Sequence, residues 1–166
     1  MKDKKINVIA TIIISSLILF YIFNLNFGIN RTKSLPLGIY MYSNSNNLKK
    51  GDIVVFNISD KWKNLTVLRN IKNVKIRFMK QIAADSNDKL EIRNNHLYVN
   101  GEDYGEYVNG IEKADLKISK GKFWVLSKEK NSLDSRYYGE ISKDQIEKKA
   151  KLIYEFKRKN VASENK

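Results

Sequence analysis

The stretch Val74–Ala83, VKIRFMKQIA, is a β-like run that places one lysine, Lys80, within an apolar segment. Short runs of the same kind, bounded by polar turns, recur on both sides of it. They are Asp52–Phe56, Leu65–Arg69, Leu90–Ile92, Leu97–Val99 and Phe123–Leu126. The chain is therefore predicted to fold as a mainly β domain. Because Asn tolerates positive φ, Asn94–Asn95 predicts a hairpin turn between two of these runs.

The tail Ile141–Phe156 fits two structures. Ser142 and Gln145 have the spacing of a capping box, which favours an amphipathic helix. Strict alternation favours a strand instead, with one face formed by Ala150, Leu152, Tyr154 and Phe156. The pattern alone leaves both open.

The amino terminus carries an uncharged run of 18 residues, Ile6–Phe23, which is long enough to cross a bilayer as a helix. Lysines precede it, so the amino terminus is predicted to stay in the cytoplasm. A cleaved signal peptide is the alternative, but no small-x-small cleavage site follows. We predict a cytoplasmic segment 1–5, a transmembrane anchor 6–27, one folded domain 28–156 and a frayed polar tail 157–166.

The composition excludes several kinds of site. With no Cys and one His, disulfides, thiol chemistry and Cys- or His-rich zinc sites are ruled out. His96 follows the predicted hairpin turn, which disfavours a Ser-His-Asp triad. The net charge of +13 has three possible explanations: binding to nucleic acid, attraction to anionic lipid, or a generally lysine-rich composition. Scattered basic pairs such as Lys49–Lys50 favour the last two, so no nucleic-acid partner is expected.

The remaining nucleophiles are a Ser or Thr activated by a lysine, or a carboxylate. Lysine accepts a proton near neutral pH only where burial depresses its pKa, and Lys80 has an apolar setting. A lysine on the open face of an amphipathic strand has the same sequence pattern.

Two polar stretches could complete such a site. Ser34 lies in Thr32–Tyr40, TKSLPLGIY, which contains the only proline. Pro36 and Gly38 predict a turn that brings a hydroxyl and backbone N–H groups to one point, although a linker turn would look alike. The second stretch, Asn131–Gly139, offers a pair of Asp134 with Arg136 and hydroxyls at Ser132 and Ser135 for a buried lysine, or else a polar surface loop.

Taken together, four stretches resemble the bacterial type I signal peptidase family, and more closely its TraF-type branch of conjugative transfer peptidases. They are Thr32–Tyr40, Lys50–Phe56, Arg77–Ala84 and Ser132–Gly139. The resemblance implies coiled antiparallel sheets, a strand near Lys149–Phe156, and a catalytic domain on the extracytoplasmic side of the bacterial cytoplasmic membrane, held by a single-pass anchor. It implies a serine endopeptidase without cofactor or metal, acting on precursors with a signal peptide or on pilin-like substrates.

The resemblance also assigns roles to residues. It implies Ser34 as the nucleophile and Lys80 as the general base, with Thr32 and the Ser34 backbone N–H forming the oxyanion hole. Ser132 would orient Lys80, and the pair of Asp134 and Arg136 would hold their loop.

The sequence departs from general signal peptidases at three points. Gln81 stands where Arg is usual, 84–88 replaces a Pro-Gly-Asp turn, and 127–131 replaces Gly-Asp-Asn-Arg-Asp. The Thr-x-Ser-x-Pro-x-Gly-x-Tyr pattern favours the transfer-type branch. A housekeeping signal peptidase and a catalytically silent, membrane-tethered binding module remain alternatives, whereas the anchor disfavours a self-cleaving DNA-bound repressor.

Overall fold

The structure is a computed structural model that describes residues 2–58, 77–107 and 116–157. One long helix is followed by ten strands and a one-turn helix. The helices are α1 (Lys2–Asn26) and α2 (Ser135–Tyr138); the strands are β1 (Phe27–Asn30), β2 (Gly38–Ser43), β3 (Ile53–Asn57), β4 (Arg77–Ala84), β5 (Leu90–Arg93), β6 (His96–Val99), β7 (Glu102–Glu106), β8 (Lys122–Leu126), β9 (Ile141–Ser142) and β10 (Ile146–Glu155).

The described strands form two antiparallel sheets, which confirms the predicted mainly β fold. The larger sheet has seven strands in the order β1-β2-β10-β3-β4-β8-β9, and the smaller has the order β5-β6-β7. The predicted strand Leu65–Arg69 and the first residues of Val74–Ala83 lie outside the described residues. The predicted hairpin is β5–β6, whose turn residues Asn94 and Asn95 have φ values of 48° and 63°.

The tail is a strand, so the helical interpretation of it is wrong. β10 runs antiparallel between β2 and β3, where both of its backbone edges find partners. Ser142 and Gln145 do interact, since the Ser142 N–H and Oγ donate to Gln145 Oε1 at 2.9 and 3.0 Å. That contact closes a short 3₁₀ turn before β10 instead of starting an α-helix.

Helix α1 is the one described helix long and apolar enough to cross a membrane. Its segment Lys4–Asn24 has a mean hydropathy of 2.4, and none of that window is buried against the rest of the chain. The helix passes into β1 with no intervening residue, and the rings of Phe23 and Phe27 stack at 4.9 Å across the junction.

Strand β4 connects two parts of the hydrophobic core. Ile82 belongs to a cluster with β3 and β8, and Phe78 packs against the same cluster. Ala83 and Ala84 belong to a second cluster, which includes Leu97 and other residues of the smaller sheet. Because side chains alternate along a strand, Lys80 shares the face of Phe78 and Ile82, which places it at the edge of the first cluster.

Gly38 opens β2 at a point where two backbones meet. A Cβ at this position would lie 2.1 Å from the Tyr154 carbonyl oxygen on β10 and 2.8 Å from Leu152 Cδ1. The sequence predicted a turn residue here, but Gly38 is a strand residue that lets β10 approach closely.

We expect Gly38→Ala to lower the free energy of unfolding by about 1–3 kcal/mol, because the added methyl group meets backbone that cannot move independently. Chemical unfolding of the full chain in detergent measures this. Ser43→Ala, at an exposed position of the same strand, is the matched control and should change stability by less than about 0.5 kcal/mol. Equal stabilities of the two variants would contradict the close-approach explanation.

Candidate active site

Ser34 lies in the loop that joins β1 to β2. Its Oγ is 3.2 Å from Thr32 Oγ1, and Ser127 Oγ donates to the Ser34 carbonyl oxygen at 3.0 Å. Tyr40 Oη donates to the Pro36 carbonyl oxygen at 2.8 Å, which closes the loop from the side of β2. The loop of the candidate nucleophile is therefore held by Tyr40 on β2 and by Ser127, which follows β8.

Asn30 is a residue of this loop that the sequence analysis missed. It is 6% exposed and hydrogen-bonds to Thr32, Leu35 and Pro36. Its signal in the sequence is weak, because an Asn before a turn is common in any protein. Its position four residues before Ser34 acquires meaning only once the loop is folded.

Lys80 is 6% exposed, although it carries an ionisable amine. In the part of the chain that the structure describes, its Nζ has no hydrogen-bond or ion-pair partner. Burial lowers the pKa of Lys80 to about 8, the negative charge of Asp134 acts to raise that pKa, and the positive charge of Arg136 acts to lower it. A substantial fraction of this amine is therefore neutral at mildly alkaline pH.

One cavity of about 560 Å³ brings four of the six predicted site residues together: Thr32, Ser34, Lys80 and Ser132. The rest of its wall is partly apolar, formed by side chains that include Ile29, Tyr42, Val55, Phe78, Met79 and Leu133. Ser132 Oγ is buried and has no hydrogen-bond partner among the described residues. The Ser132 hydroxyl, which has no hydrogen-bond partner in the described residues, thus lines the same cavity as the Lys80 amine.

Ser34 also lines a second cavity, of about 1110 Å³. Both cavities are lined by Lys33, Ser34 and Glu129. Gln81, the residue that replaces the usual Arg, lines the second cavity and donates to the Gly51 carbonyl oxygen at 3.0 Å. Ser34 therefore lines both cavities.

Asp134 and Arg136 form a buried ion pair behind the cavity. Both Asp134 oxygens accept from the guanidinium, at 2.9 Å from Nε and 2.8 Å from Nη2, and the two residues are 0% and 1% exposed. Arg136 also donates to the carbonyl oxygens of Tyr104 and Glu129, at 2.8 and 3.0 Å. The pair therefore fixes its own loop and attaches it to β7 of the smaller sheet.

Ser135 does not act on a lysine in this structure. Its Oγ accepts from the Val125 N–H on β8 at 2.9 Å, which is a structural contact. His96 begins β6 and lies 2.9 Å from Asp103 through Nδ1, outside both cavities. Among residues 2–58, 77–107 and 116–157, no three His, Asp or Glu side chains cluster as metal ligands would.

We expect Asp134→Ala to destabilise the protein by about 3–5 kcal/mol, because it leaves the Arg136 guanidinium buried without a counter-charge. Thermal or chemical unfolding of the full chain measures the effect. The control is Glu91→Ala, which removes a partly exposed partner of Lys89 and should destabilise the protein much less. Similar losses in both variants would show that the burial of the pair has no special energetic role.

Comparison with known proteins identifies the family. The model of the family described as signal peptidase, peptidase S26, matches residues 4–155. A probable signal peptidase I-2 of Synechocystis is 29% identical over 103 residues, which cover 59% of this chain and 44% of the relative. A signal peptidase IB of Staphylococcus aureus is 32% identical over 122 residues, which cover 60% of this chain and 56% of the relative.

The chain thus spans about half the length of these curated relatives. A crystal structure of a signal peptidase I from Enterococcus faecalis overlays with a TM-score of 0.42 at 19% identity, over 64% of this chain and 98% of that one. The family match covers both sheets, the whole lining of the smaller cavity, and the lining of the larger cavity except Phe156 and Lys157. On that match, the chain belongs to the signal peptidase, peptidase S26, family.

Proposed function

We propose that this chain is a membrane-anchored serine endopeptidase in which Ser34 is the nucleophile and Lys80 the general base. The observation that supports this most directly is a buried, unpaired lysine in the same cavity as a serine hydroxyl. A buried amine without a counter-ion costs stability, so its retention favours a chemical role over a structural one.

In the proposed reaction, neutral Lys80 takes the Ser34 proton as Oγ attacks the scissile carbonyl carbon. The developing oxyanion is stabilised by the Ser34 backbone N–H and the Thr32 hydroxyl. Protonated Lys80 then gives its proton to the leaving amine, and the acyl-enzyme forms. Water, deprotonated by Lys80, hydrolyses the ester and restores the starting state.

Supporting roles follow from the contacts around this dyad. We assign Ser132 Oγ to hydrogen-bond the Lys80 Nζ, because this buried hydroxyl has no partner in the described structure and lines the same cavity. Asp134 and Arg136 hold the loop that carries Ser132. These three residues position the base; Ser34, Lys80 and Thr32 act on the substrate.

The proposed substrates are precursor proteins with a signal peptide, cut at the outer face of the bacterial cytoplasmic membrane. Family membership and the apolar helix α1 support this assignment, and the helix also supports a contact with lipid. The pattern Thr32–Tyr40 further favours pilin-like precursors in conjugative transfer, where attack by the substrate amino terminus in place of water would give a cyclic product. The names of the curated relatives favour general signal peptide processing. A cleavage assay that offers the protein a secretory precursor and a pilin precursor side by side distinguishes these two substrate classes.

Ser34→Ala and Lys80→Met should each reduce kcat/KM for a precursor by at least about 10³-fold, since each removes half of the dyad. The double variant should be no slower than the single ones, because the residues act as a unit. Lys143→Met, at an exposed position before β10, is the control and should keep full activity. Cleavage by either single variant at the wild-type rate would rule out the dyad, and absence of Ser34 labelling by an acylating probe would favour a silent binding module.

The activity should rise with pH. Because Lys80 acts as a neutral base and its pKa lies at about 8, log kcat/KM should increase with a slope of about 1 below pH 8 and level off above it. Initial rates of precursor cleavage between about pH 6 and pH 10, on both sides of the lysine pKa, would give the profile. A rate that is constant across this range would argue against Lys80 as the base.

A further inference from the structure

Asn30 holds the nucleophile loop through both ends of its side-chain amide. The two N–H groups of its Nδ2 are shared among the carbonyl oxygens of Thr32, Leu35 and Pro36, which lie 2.8, 3.0 and 3.1 Å from the nitrogen. Its Oδ1 accepts from the Thr32 N–H at 3.2 Å and from Thr32 Oγ1 at 2.9 Å. The amide has one possible orientation, because the reverse would place its oxygen against three carbonyl oxygens.

This orientation fixes the direction of the neighbouring hydroxyl groups. Asn30 Oδ1 can only accept, so the single hydroxyl proton of Thr32 is donated to Asn30. Thr32 Oγ1 therefore accepts in its 3.2 Å contact with Ser34, and the Ser34 hydroxyl is the donor. The result is a directed chain of hydrogen bonds from Ser34 through Thr32 to Asn30.

We propose that Asn30 is a positioning residue for the nucleophile, and this inference rests on the proposed function. It shapes the loop by binding three carbonyl oxygens and, while the site is empty, holds the Ser34 hydroxyl proton toward Thr32 Oγ1. That proton turns to Lys80 for the attack. Asn30 also holds the Thr32 proton while the site is empty. Thr32 stabilises an oxyanion only after its hydroxyl turns away from Asn30, so Thr32 becomes a donor when the site is occupied.

Asn30→Ala and Asn30→Asp separate this role from simple space filling. The alanine variant removes all of the side-chain contacts, and kcat should fall about 100-fold with little change in KM, as misplaced reacting groups cause. The aspartate variant keeps the size and an acceptor for Thr32. Its second oxygen, however, faces three carbonyl oxygens, which disfavours the charged form and raises the carboxyl pKa.

The two variants should therefore differ in their pH dependence. At pH 8, Asn30→Asp should be slower than Asn30→Ala. As the pH falls and the carboxyl group is protonated, its O–H can donate to a loop carbonyl, so the ratio of Asn30→Asp to Asn30→Ala in kcat/KM should rise. A residue that only fills space would give a pH-independent ratio, with aspartate the better replacement.

The experiment uses the full chain in detergent, a precursor substrate and an acylating serine probe. Asn44→Ala, exposed in the loop after β2, is the control and should keep wild-type kcat/KM. If Asn30→Ala does not fold, the pH profile of the near-isosteric Asn30→Asp relative to wild type decides instead.

Three outcomes would overturn the inference. If wild type cleaves, Ser34→Ala does not, and both Asn30 variants retain kcat/KM within about threefold, the positioning role is wrong while the proposed function stands. The positioning role is also wrong if the ratio of kcat/KM between Asn30→Asp and Asn30→Ala does not depend on pH. If Asn30→Ala does not fold, the same holds for the ratio between Asn30→Asp and wild type. Cleavage by Ser34→Ala would instead overturn the proposed function and the positioning role together.

Discussion

Lys80 is buried with no counter-ion among residues 2–58, 77–107 and 116–157, and the rest of this site depends on that constraint. An ammonium group at this position loses part of its hydration, and this burial lowers the pKa of Lys80 to about 8. The strand that carries Lys80 must therefore be stable for other reasons, and β4 is paired on both sides, with β3 and β8. The sheet supplies the stability that the buried amine removes.

The pair of Asp134 and Arg136 makes that burial effective. Alone, the Asp134 carboxylate would draw a proton to Lys80 and raise its pKa, whereas the Arg136 guanidinium acts in the opposite direction. Because the two charges are bound to each other at 2.8 and 2.9 Å, Lys80 experiences a dipole instead of a full negative charge. The buried Asp134 carboxylate can thus anchor its loop near Lys80 without driving Lys80 to its protonated form.

The local residue pattern was sufficient to predict the elements whose residues strongly favour strands or turns, such as β3, β8 and the β5–β6 hairpin. It was insufficient for β10, where the capping spacing of Ser142 and Gln145 is real but serves a 3₁₀ turn, and the strand is decided by neighbours distant in sequence. The sequence predicts a turn at Gly38, because the residues beside it in the chain do not indicate that β10 approaches it closely. The site stretches were found through family resemblance, whereas Asn30 needed the folded loop.

The direct passage of α1 into β1 has a geometric consequence. With α1 embedded in a bilayer, the absence of a linker and the stacked rings of Phe23 and Phe27 fix how far the domain stands above the lipid. The height of Ser34 over the membrane surface is then a constant of the fold. Under the proposed function, such an arrangement selects the bond by its distance from the membrane: among the peptide bonds of a membrane-borne precursor, those at one depth reach Ser34.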